Sequence, residues 1–248
     1  MTDAATTREI PHVERRFWQG VYDAGPMAFD LGQATPALCD WLDGHPLEPG
    51  RALVPGCGRG HDVIELARRG FDALGVDFAR SAVRDARALA ARDRAPARFL
   101  ERDLFSLLAD PDRLEPWEPL PPLEEGTIDL WWENTCYCAI EPARRGEYAS
   151  IAARLVRRGG TLLFLAFPLD ARSIGAPRLR APPVAGEARS SLKASASSEP
   201  SSPPYPIRAE EIAPRFAPHF VLRTLAPPPR PSSPHRVGRE LLAVLERV

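Results

Sequence analysis

A glycine-rich turn between two apolar runs is the part of this chain best suited to binding a nucleotide. Gly56, Gly58 and Gly60 follow the apolar run 52–54 and lead into a helical pattern. Because glycine has no Cβ, such a turn lets the backbone pass close to a ligand. A second apolar run ends in Asp77, whose carboxylate can accept hydrogen bonds from both hydroxyls of a ribose. The pattern predicts a nucleotide site, and its alternative is a tight turn of a parallel sheet that binds nothing.

The spacing of the glycines indicates which nucleotide is bound. A dinucleotide fingerprint, G-x-G-x-x-G, requires a third glycine where this chain has His61. His61 therefore disfavours a nicotinamide-dependent oxidoreductase. No Lys-Ser or Lys-Thr pair follows the turn, which excludes a phosphate-binding P-loop. S-adenosylmethionine carries ribose and adenine but no phosphate, and we predict it as the cofactor.

An acidic residue also follows the third predicted strand. Asp103 would face the same crevice and could accept a hydrogen bond from the adenine amino group, with Leu104 against the ring. The alternative is that Asp103 caps the N-terminus of a helix.

Three aromatic residues near the N-terminus form a second candidate group. Trp18 and Tyr22 are four residues apart and share a helix face, while the Gly25-Pro26 pair would end that helix and bring Phe29 back alongside. Aromatic rings attract a sulfonium cation by about 0.5–2 kcal/mol per good contact. The group could therefore cover the cofactor, or it could be ordinary core.

Two polar residues follow the fourth predicted strand. Glu133 and Asn134 would emerge at the crevice and could contact the methionine end of the cofactor or the methyl acceptor. The alternative is a loop whose polar groups cap neighbouring backbone.

The elements that position these residues alternate between strand and helix. The predicted strands are 51–54, 73–76, 98–101, 127–131, 161–167, 220–225 and 240–245, and the predicted helices are 60–69, 81–92, 142–156 and 208–216. The last strand also suits a helix. This alternation predicts an α/β fold with a doubly wound, mostly parallel seven-stranded sheet of Rossmann-like type, in which ligands bind at the carboxyl ends of the strands.

The chain is expected to form one domain over 1–248, with 1–48 as an N-terminal helical lid. The stretch 175–204 is dense in Ser, Pro and Ala, lacks apolar periodicity and is predicted to be a disordered insertion.

Composition excludes several classes of protein. Of 248 residues, 44% are hydrophobic, and the net charge of -1 gives no general affinity for nucleic acid or anionic membranes. The four cysteines match neither a disulfide framework nor a zinc site, so we expect no metal; they are Cys39, Cys57, Cys136 and Cys138. The N-terminus does not resemble a signal peptide, and the longest apolar stretch, 161–169, is too short to span a bilayer. We expect a soluble cytoplasmic monomer that acts on a small molecule.

Seven short motifs, in order along the chain, resemble those of the thiopurine S-methyltransferase superfamily, and more closely its thiol and halide methyltransferase branch. They are Phe17-Trp18-x3-Tyr22, Phe29-Asp30-Leu31-Gly32-Gln33-Ala34-Thr35-Pro36, Val54-Pro55-Gly56-Cys57-Gly58, Cys138-Ala139-Ile140-Glu141-Pro142, Phe167-Pro168-Leu169, Pro203-Pro204-Tyr205 and Gly238-Arg239-Glu240. The run 138–142 is the most specific to the branch.

The resemblance implies a class I methyltransferase that transfers a methyl group in line to a thiol, hydrosulfide, thiocyanate or halide, without a catalytic base. The cofactor contacts that it implies are Trp18, Tyr22, Phe29, Gly56, Asp77, Asp103 and Leu104, to which the sequence pattern adds Gly58 and Asn134. Tyr22 and Phe29 stand where the family usually has tryptophan, and Glu133-Asn134 stands where plant relatives have Asp-Tyr.

Two other functions stay open at this point. One is a methyltransferase acting on oxygen or nitrogen of a larger metabolite, which would need Glu133 or His235 as a proton acceptor. The other is a protein that binds the cofactor without catalysis.

Overall fold

The computed structural model describes residues 12–25, 27, 29–107, 123–167 and 203–248. The predicted insertion at 175–204 lies outside the described residues, except for its last two positions. The helices are α1 His12–Asp23, α2 Pro36–Gly44, α3 His61–Arg68, α4 Arg80–Arg92, α5 Arg145–Leu155 and α6 Ala209–Phe216. The strands are β1 Arg51–Pro55, β2 Asp72–Asp77, β3 Arg98–Glu101, β4 Ile128–Asn134, β5 Val156–Ala166, β6 Phe220–Ala226 and β7 Leu241–Arg247.

The seven strands form one sheet in the order β3-β2-β1-β4-β5-β7-β6. Strands β1 to β5 are parallel, whereas β7 is antiparallel to both β5 and β6. The predicted α/β fold with a doubly wound, mostly parallel seven-stranded sheet is therefore confirmed. The strand order reverses between β1 and β4, so the carboxyl ends of these two strands flank the crevice in which such sheets bind ligands.

Each face of the sheet has its own apolar core because successive side chains of a strand point to opposite faces. On β1, Ala52 and Val54 pack with α2, α3 and α4, whereas Leu53 packs with α5 and α6. On β4, Trp132 belongs to the first core and Trp131 to the second. Helices on both faces are what a parallel sheet requires, since its strands are apolar on both sides.

One predicted boundary is wrong, around Gly159 and Gly160. The helix ends at Leu155, and β5 begins at once with Val156. The pairing of β5 with β4 shifts between Val156 and Thr161, so the two glycines lie in an irregular part of the strand, where Gly159 adopts a φ of +72°. A bulge of this kind needs the positive φ that glycine tolerates.

The N-terminal segment contains a core helix as well as lid residues. Helix α2, which the sequence pattern did not predict separately, buries Ala37, Leu38, Trp41 and Leu42 in the same core as β1 and α3. Only α1 and the residues that follow it remain as the expected lid. The C-terminal segment that also suited a helix is the strand β7.

In the described ranges, no helix is both long enough and apolar enough to cross a membrane. The same ranges contain no group of three or more His, Cys, Asp or Glu side chains placed to hold a metal ion. All four cysteines are free thiols.

Candidate active site

A cleft opens at the carboxyl ends of the parallel strands and contains most of the residues singled out by sequence. The nucleotide side of the cleft is lined by Trp18, Tyr22, Phe29, Gly56, Asp77, Asp103 and Leu104. Gly58 and Asn134 line a smaller adjoining pocket, which shares Tyr22, Phe29 and Gly56 with the cleft. We call the lining that comes from later segments of the chain the acceptor side; it consists of Cys136, Cys138, Ala139, Ile140, Glu141, Phe167, Pro204 and Arg236.

The glycines of the turn after β1 are required by the packing of the protein itself. Gly56, Gly58 and Gly60 all have positive φ, at +54°, +53° and +80°. A Cβ at Gly58 would lie 2.7 Å from the hydroxyl oxygen of Tyr22, and one at Gly56 would lie 2.8 Å from the Sγ of Cys136. A Cβ at either position would therefore collide with a residue that lines the cleft.

Replacing Gly58 with alanine is expected to lower both thermal stability and cofactor affinity. The strain of a positive φ costs about 1–2 kcal/mol, and the new methyl group would also displace Tyr22. Gly126→Ala is the matched control, because Gly126 has a φ of +66° and nothing within 4 Å of the new Cβ. Thermal unfolding should show a larger loss for Gly58→Ala. Equal losses would contradict the role assigned to Tyr22.

Asp77 ends β2 and is 8% exposed. Its Oδ2 accepts a hydrogen bond from the amide of Gly58 at 3.0 Å, and its Oδ1 accepts one from the amide of Ala79 at 2.8 Å. Burial raises the pKa of Asp77 to about 6, despite these amide donors. The carboxylate therefore orders the glycine turn as well as facing the cleft, and each oxygen retains a further lone pair.

Asp103 satisfies both interpretations offered by the sequence. Its Oδ1 accepts from the amide of Phe105 at 3.0 Å, so it caps the short 3-10 helix Leu104–Ser106. It also lines the cleft beside Leu104. Burial raises the pKa of Asp103, although Arg144 acts in the opposite direction.

The three N-terminal aromatic residues do come together. The ring of Phe29 packs edge-on against Trp18 at 6.0 Å and against Tyr22 at 6.3 Å between centroids. Helix α1 ends at Asp23, and Gly25, with a φ of +106°, reverses the chain as predicted. All three rings line the cleft.

His61, which replaces the third glycine of a dinucleotide fingerprint, connects the turn to the N-terminal segment. Its Nε2 lies 3.3 Å from Oδ1 of Asp30, and NH1 of Arg59 lies 2.8 Å from Oδ2 of the same residue. The hydrogen bond from His61 lowers the pKa of Asp30 well below its ordinary value, and the Arg59 guanidinium acts in the same direction. The turn and the segment after α1 are thereby linked by charge.

The structure corrects the expectation for Glu133. Its side chain is 1% exposed and lies beneath the cleft wall, where Oε1 accepts from the amides of Cys136 at 2.9 Å and Tyr137 at 2.7 Å. The Tyr148 hydroxyl donates to Oε2 and accepts from the indole of Trp131 at 2.9 Å. Burial raises the pKa of Glu133 to about 7. Glu133 caps a loop, which was the alternative interpretation, and it does not line the cleft.

Asn134 points to the opposite face of the sheet from Glu133, as the alternation of a strand requires. Its Nδ2 donates to Oγ1 of Thr35 at 2.8 Å and lies 3.3 Å from Oδ2 of Asp62, while its Oδ1 is buried without a hydrogen-bond partner. Asp62 also accepts from the amide of Thr35 at 2.6 Å and from the indole of Trp132 at 2.7 Å. Sequence analysis missed Asp62, because its partners are far away in the chain.

Sequence analysis also missed Arg236. This side chain is 5% exposed, lies 4.2 Å from the ring centroid of Phe167 and lies 3.3 Å from Oε1 of Glu240. Oε2 of Glu240 accepts from the amide of Ser232 at 2.8 Å. His235, the residue considered as a proton acceptor, is exposed next to it and does not line the cleft. No local pattern indicated Arg236, because it lies in a short 3-10 turn, no helix connects it to Glu240, and Phe167 is far away in the chain.

Comparison with known proteins agrees with this geometry. The sequence model of the thiopurine S-methyltransferase family matches residues 13–178, about two thirds of the chain. The chain belongs to this family. The predicted family is therefore confirmed, and the match includes both the aromatic lid residues and the glycine turn.

Curated relatives point to the branch predicted from the motifs. A probable thiol methyltransferase 2 of Arabidopsis thaliana is 35% identical over 162 residues, which cover 64% of this chain and 65% of the relative. A thiocyanate methyltransferase 1 of Brassica oleracea is 31% identical over 167 residues, covering 66% and 67%. The alignments thus span about two thirds of the length of these relatives.

Among solved structures, the fold resembles that of a 1,6-didemethyltoxoflavin-N1-methyltransferase of Burkholderia thailandensis. The TM-score is 0.61 at 19% identity, and the match covers 99% of this chain and 92% of the other. This likeness supports the fold.

Proposed function

We propose that the protein is an S-adenosylmethionine-dependent methyltransferase that methylates a small, soft sulfur anion such as a thiolate, hydrosulfide or thiocyanate, with halide as a related acceptor. The observation that carries the proposal is the division of one cleft into two chemically different sides. The nucleotide side has acidic and aromatic residues, whereas the acceptor side is mostly apolar and holds the carboxylate of Glu141 and the buried cation of Arg236.

The donor set of the nucleotide side fits S-adenosylmethionine. Asp77 would bind the ribose hydroxyls and Asp103 the adenine amino group, with Leu104 against the ring. The buried Oδ1 of Asn134 lacks a partner, and an ammonium group is a donor that would satisfy it. The amino-acid end of the cofactor would accordingly enter the smaller pocket, beside Gly58.

The aromatic residues would hold the cationic end of the cofactor. Trp18, Tyr22 and Phe29 line the cleft, and aromatic faces attract a sulfonium through their quadrupoles. S-adenosylmethionine supplies an activated methyl group bonded to that sulfonium. The rings would exclude water from the sulfonium and fix the orientation of its methyl group. They would therefore contribute to catalysis by positioning the reacting atoms, without themselves forming or breaking a bond.

A soft anion fits the acceptor side because it needs no proton removed. A thiolate, hydrosulfide or thiocyanate is already a nucleophile, whereas an alcohol or amine requires a general base. The two residues considered for that task do not line the cleft: Glu133 is buried beneath its wall, and His235 is exposed outside it. The loss of both candidate bases supports sulfur or halide over oxygen or nitrogen, and Glu141, which lines the acceptor side, is the remaining carboxylate that an oxygen or nitrogen acceptor would require as a base. The relatives named as thiol and thiocyanate methyltransferases support the same choice.

The test is a search for methylated volatile products. The protein is incubated with S-adenosylmethionine and, separately, with hydrosulfide, thiocyanate, iodide or a small aryl thiol, and the headspace is analysed by gas chromatography with mass detection. We expect at least one methylated volatile, and no product above the enzyme-free background with heat-unfolded protein. Tight binding of S-adenosylmethionine without product from any of the four acceptors would contradict the proposal and favour the protein that binds without catalysis.

A further inference from the structure

Arg236 is a buried cation in the wall of the cleft, and its contacts within the protein do not explain why a charged residue is buried there. Its guanidinium has a single described ion pair, with Glu240, at 3.3 Å. Glu240 directs its other oxygen to the amide of Ser232. Removing two charges from water costs several kcal/mol per ion, and a buried pair often fails to recover this cost. Stability of the fold is therefore a weak reason for an arginine at this position.

The position of Arg236 follows from the topology. It lies in the 3-10 turn Pro234–Arg236, shortly before β7, and stacks on Phe167, which directly follows the end of β5. Strand β5 lies on the far side of β4 from β1 and β2, which carry the glycine turn and Asp77. Arg236 therefore faces the cleft from the side opposite to the ribose-binding carboxylate.

The other arginine with described contacts at the cleft adjoins the nucleotide side. The guanidinium of Arg144 lies 3.6 Å from the ring centroid of Phe105 and pairs with Glu147 at 3.2 Å. Phe105 follows Leu104 in the short helix capped by Asp103. Arg102, which also lines the cleft, directly precedes Asp103 on the same side. Arg236 is thus the arginine that lines the acceptor side in the described part of the chain, while Arg239 lies 5.9 Å from the ring centroid of Phe167 and does not line the cleft.

We propose that Arg236 determines the specificity of the enzyme for anionic acceptors, with Phe167 and Glu240 holding its guanidinium at the cleft wall. This proposal rests on the proposed function, because it assigns the acceptor side its ligand. A guanidinium is weakly hydrated and binds soft, weakly hydrated anions without a large desolvation cost. The apolar wall around it, formed by Ile140 and Pro204, lowers the local dielectric and strengthens the attraction for a single negative charge.

The experiment measures anion binding without turnover. The protein is saturated with S-adenosylhomocysteine, the demethylated product, and titrated with potassium thiocyanate by isothermal calorimetry at constant ionic strength. We expect Arg236→Gln to raise the Kd for thiocyanate at least tenfold and Arg236→Lys to raise it less. Arg223→Gln is the control, because Arg223 is a half-exposed arginine that pairs with Glu246 away from the cleft, and its Kd should not change.

A second variant is expected to change the Kd for thiocyanate in the opposite direction. Glu240→Gln removes the carboxylate that partly neutralises Arg236, so thiocyanate should bind about threefold more tightly. A purely structural role for the pair would weaken binding in both variants, and that result would overturn the proposal. The proposal would also be overturned if Arg236→Gln bound S-adenosylhomocysteine and retained the wild-type affinity for thiocyanate. It would equally be overturned if the wild-type protein did not bind thiocyanate. If Arg236→Gln does not fold, Glu240→Gln and Arg236→Lys carry the test.

The two proposals can fail separately. Thiocyanate binding that depends on Arg236, without any methylated product, would support the anion site and contradict the proposed reaction. Methylated product, with an unchanged Kd for thiocyanate in Arg236→Gln, would support the proposed reaction and contradict the anion site. In the active enzyme, Arg236→Gln should raise KM for thiocyanate about tenfold with kcat changed less.

Discussion

Asp77→Asn should weaken the binding of S-adenosylmethionine by about 1.5–3 kcal/mol, or roughly 10- to 150-fold in Kd, since it removes a charged acceptor from the ribose hydroxyls. The buried carboxylate already holds the amides of Gly58 and Ala79, so its orientation toward the cleft is fixed before the ligand arrives. Isothermal calorimetry with S-adenosylmethionine or S-adenosylhomocysteine measures the loss.

The control for this variant is Asp129→Asn. Asp129 also accepts from a backbone amide, that of Arg51 at 2.7 Å, but it lies near the amino end of β4, away from the cleft. Both variants should lose some thermal stability, and only Asp77→Asn should lose cofactor affinity. An unchanged Kd for Asp77→Asn would mean that the ribose is held elsewhere.

Protonation of Asp77 should have a similar effect. Burial raises the pKa of Asp77 to about 6, so the unliganded protein carries a neutral side chain there below that pH. Cofactor affinity should therefore fall as the pH drops below about 6.

The second large effect is expected at Glu133, where alanine should destabilise the fold by about 3 kcal/mol or more. The substitution leaves the amides of Cys136 and Tyr137 and the hydroxyl of Tyr148 without an acceptor, and each unsatisfied buried group costs about 1–3 kcal/mol. Urea unfolding measures the loss. Glu125→Ala is the control, because Glu125 is exposed and its described partner is an exposed arginine on α5. Similar losses for the two variants would contradict the role of Glu133.

Glu133 should also make stability depend on pH. Its pKa rises from 4.5 to about 7 on folding, so between these values the folded state binds the proton more tightly than the unfolded state does. The free energy of unfolding therefore falls as the pH rises from about 4.5 to about 7, and Asp77 contributes a change of the same sign between 3.8 and about 6. Glu133→Gln resembles the protonated side chain, so it should flatten this slope. An unaltered slope would contradict the assignment.

How far the sequence predicted the site depends on how local each contact is. The glycine turn and Asp77 lie within one strand–helix–strand unit, so their spacing alone indicated their position. Asp62 could not be found this way, since Thr35 and Trp132 reach it from positions 27 and 70 residues away. The positions of Thr35 and Trp132 relative to Asp62 depend on the packing of α2 and the pairing of strands. A local sequence pattern does not indicate either.

The two interpretations of Glu133 could in part have been separated from the sequence. Neighbouring residues of a strand point to opposite faces, so Glu133 and Asn134 could not both face one crevice while β4 continued through them. The predicted strand ended at residue 131, and this early end concealed the alternation. Which of the two faces the cleft was not readable from the sequence, because it depends on the register of β4 between β1 and β5.

The two sides of the cleft are built from separate stretches of the chain. The nucleotide side comes from residues 18–104, and the acceptor side comes largely from 136–141 and from short segments around Phe167, Pro204 and Arg236. Under the proposed function, a substitution around Phe167, Pro204 or Arg236 would change the acceptor that receives the methyl group and leave the glycine turn and Asp77 intact. Such an arrangement lets a lineage acquire new acceptors in small steps, each compatible with a working cofactor site. Segment exchange between relatives, made after residue 135, would be a practical way to redesign the enzyme.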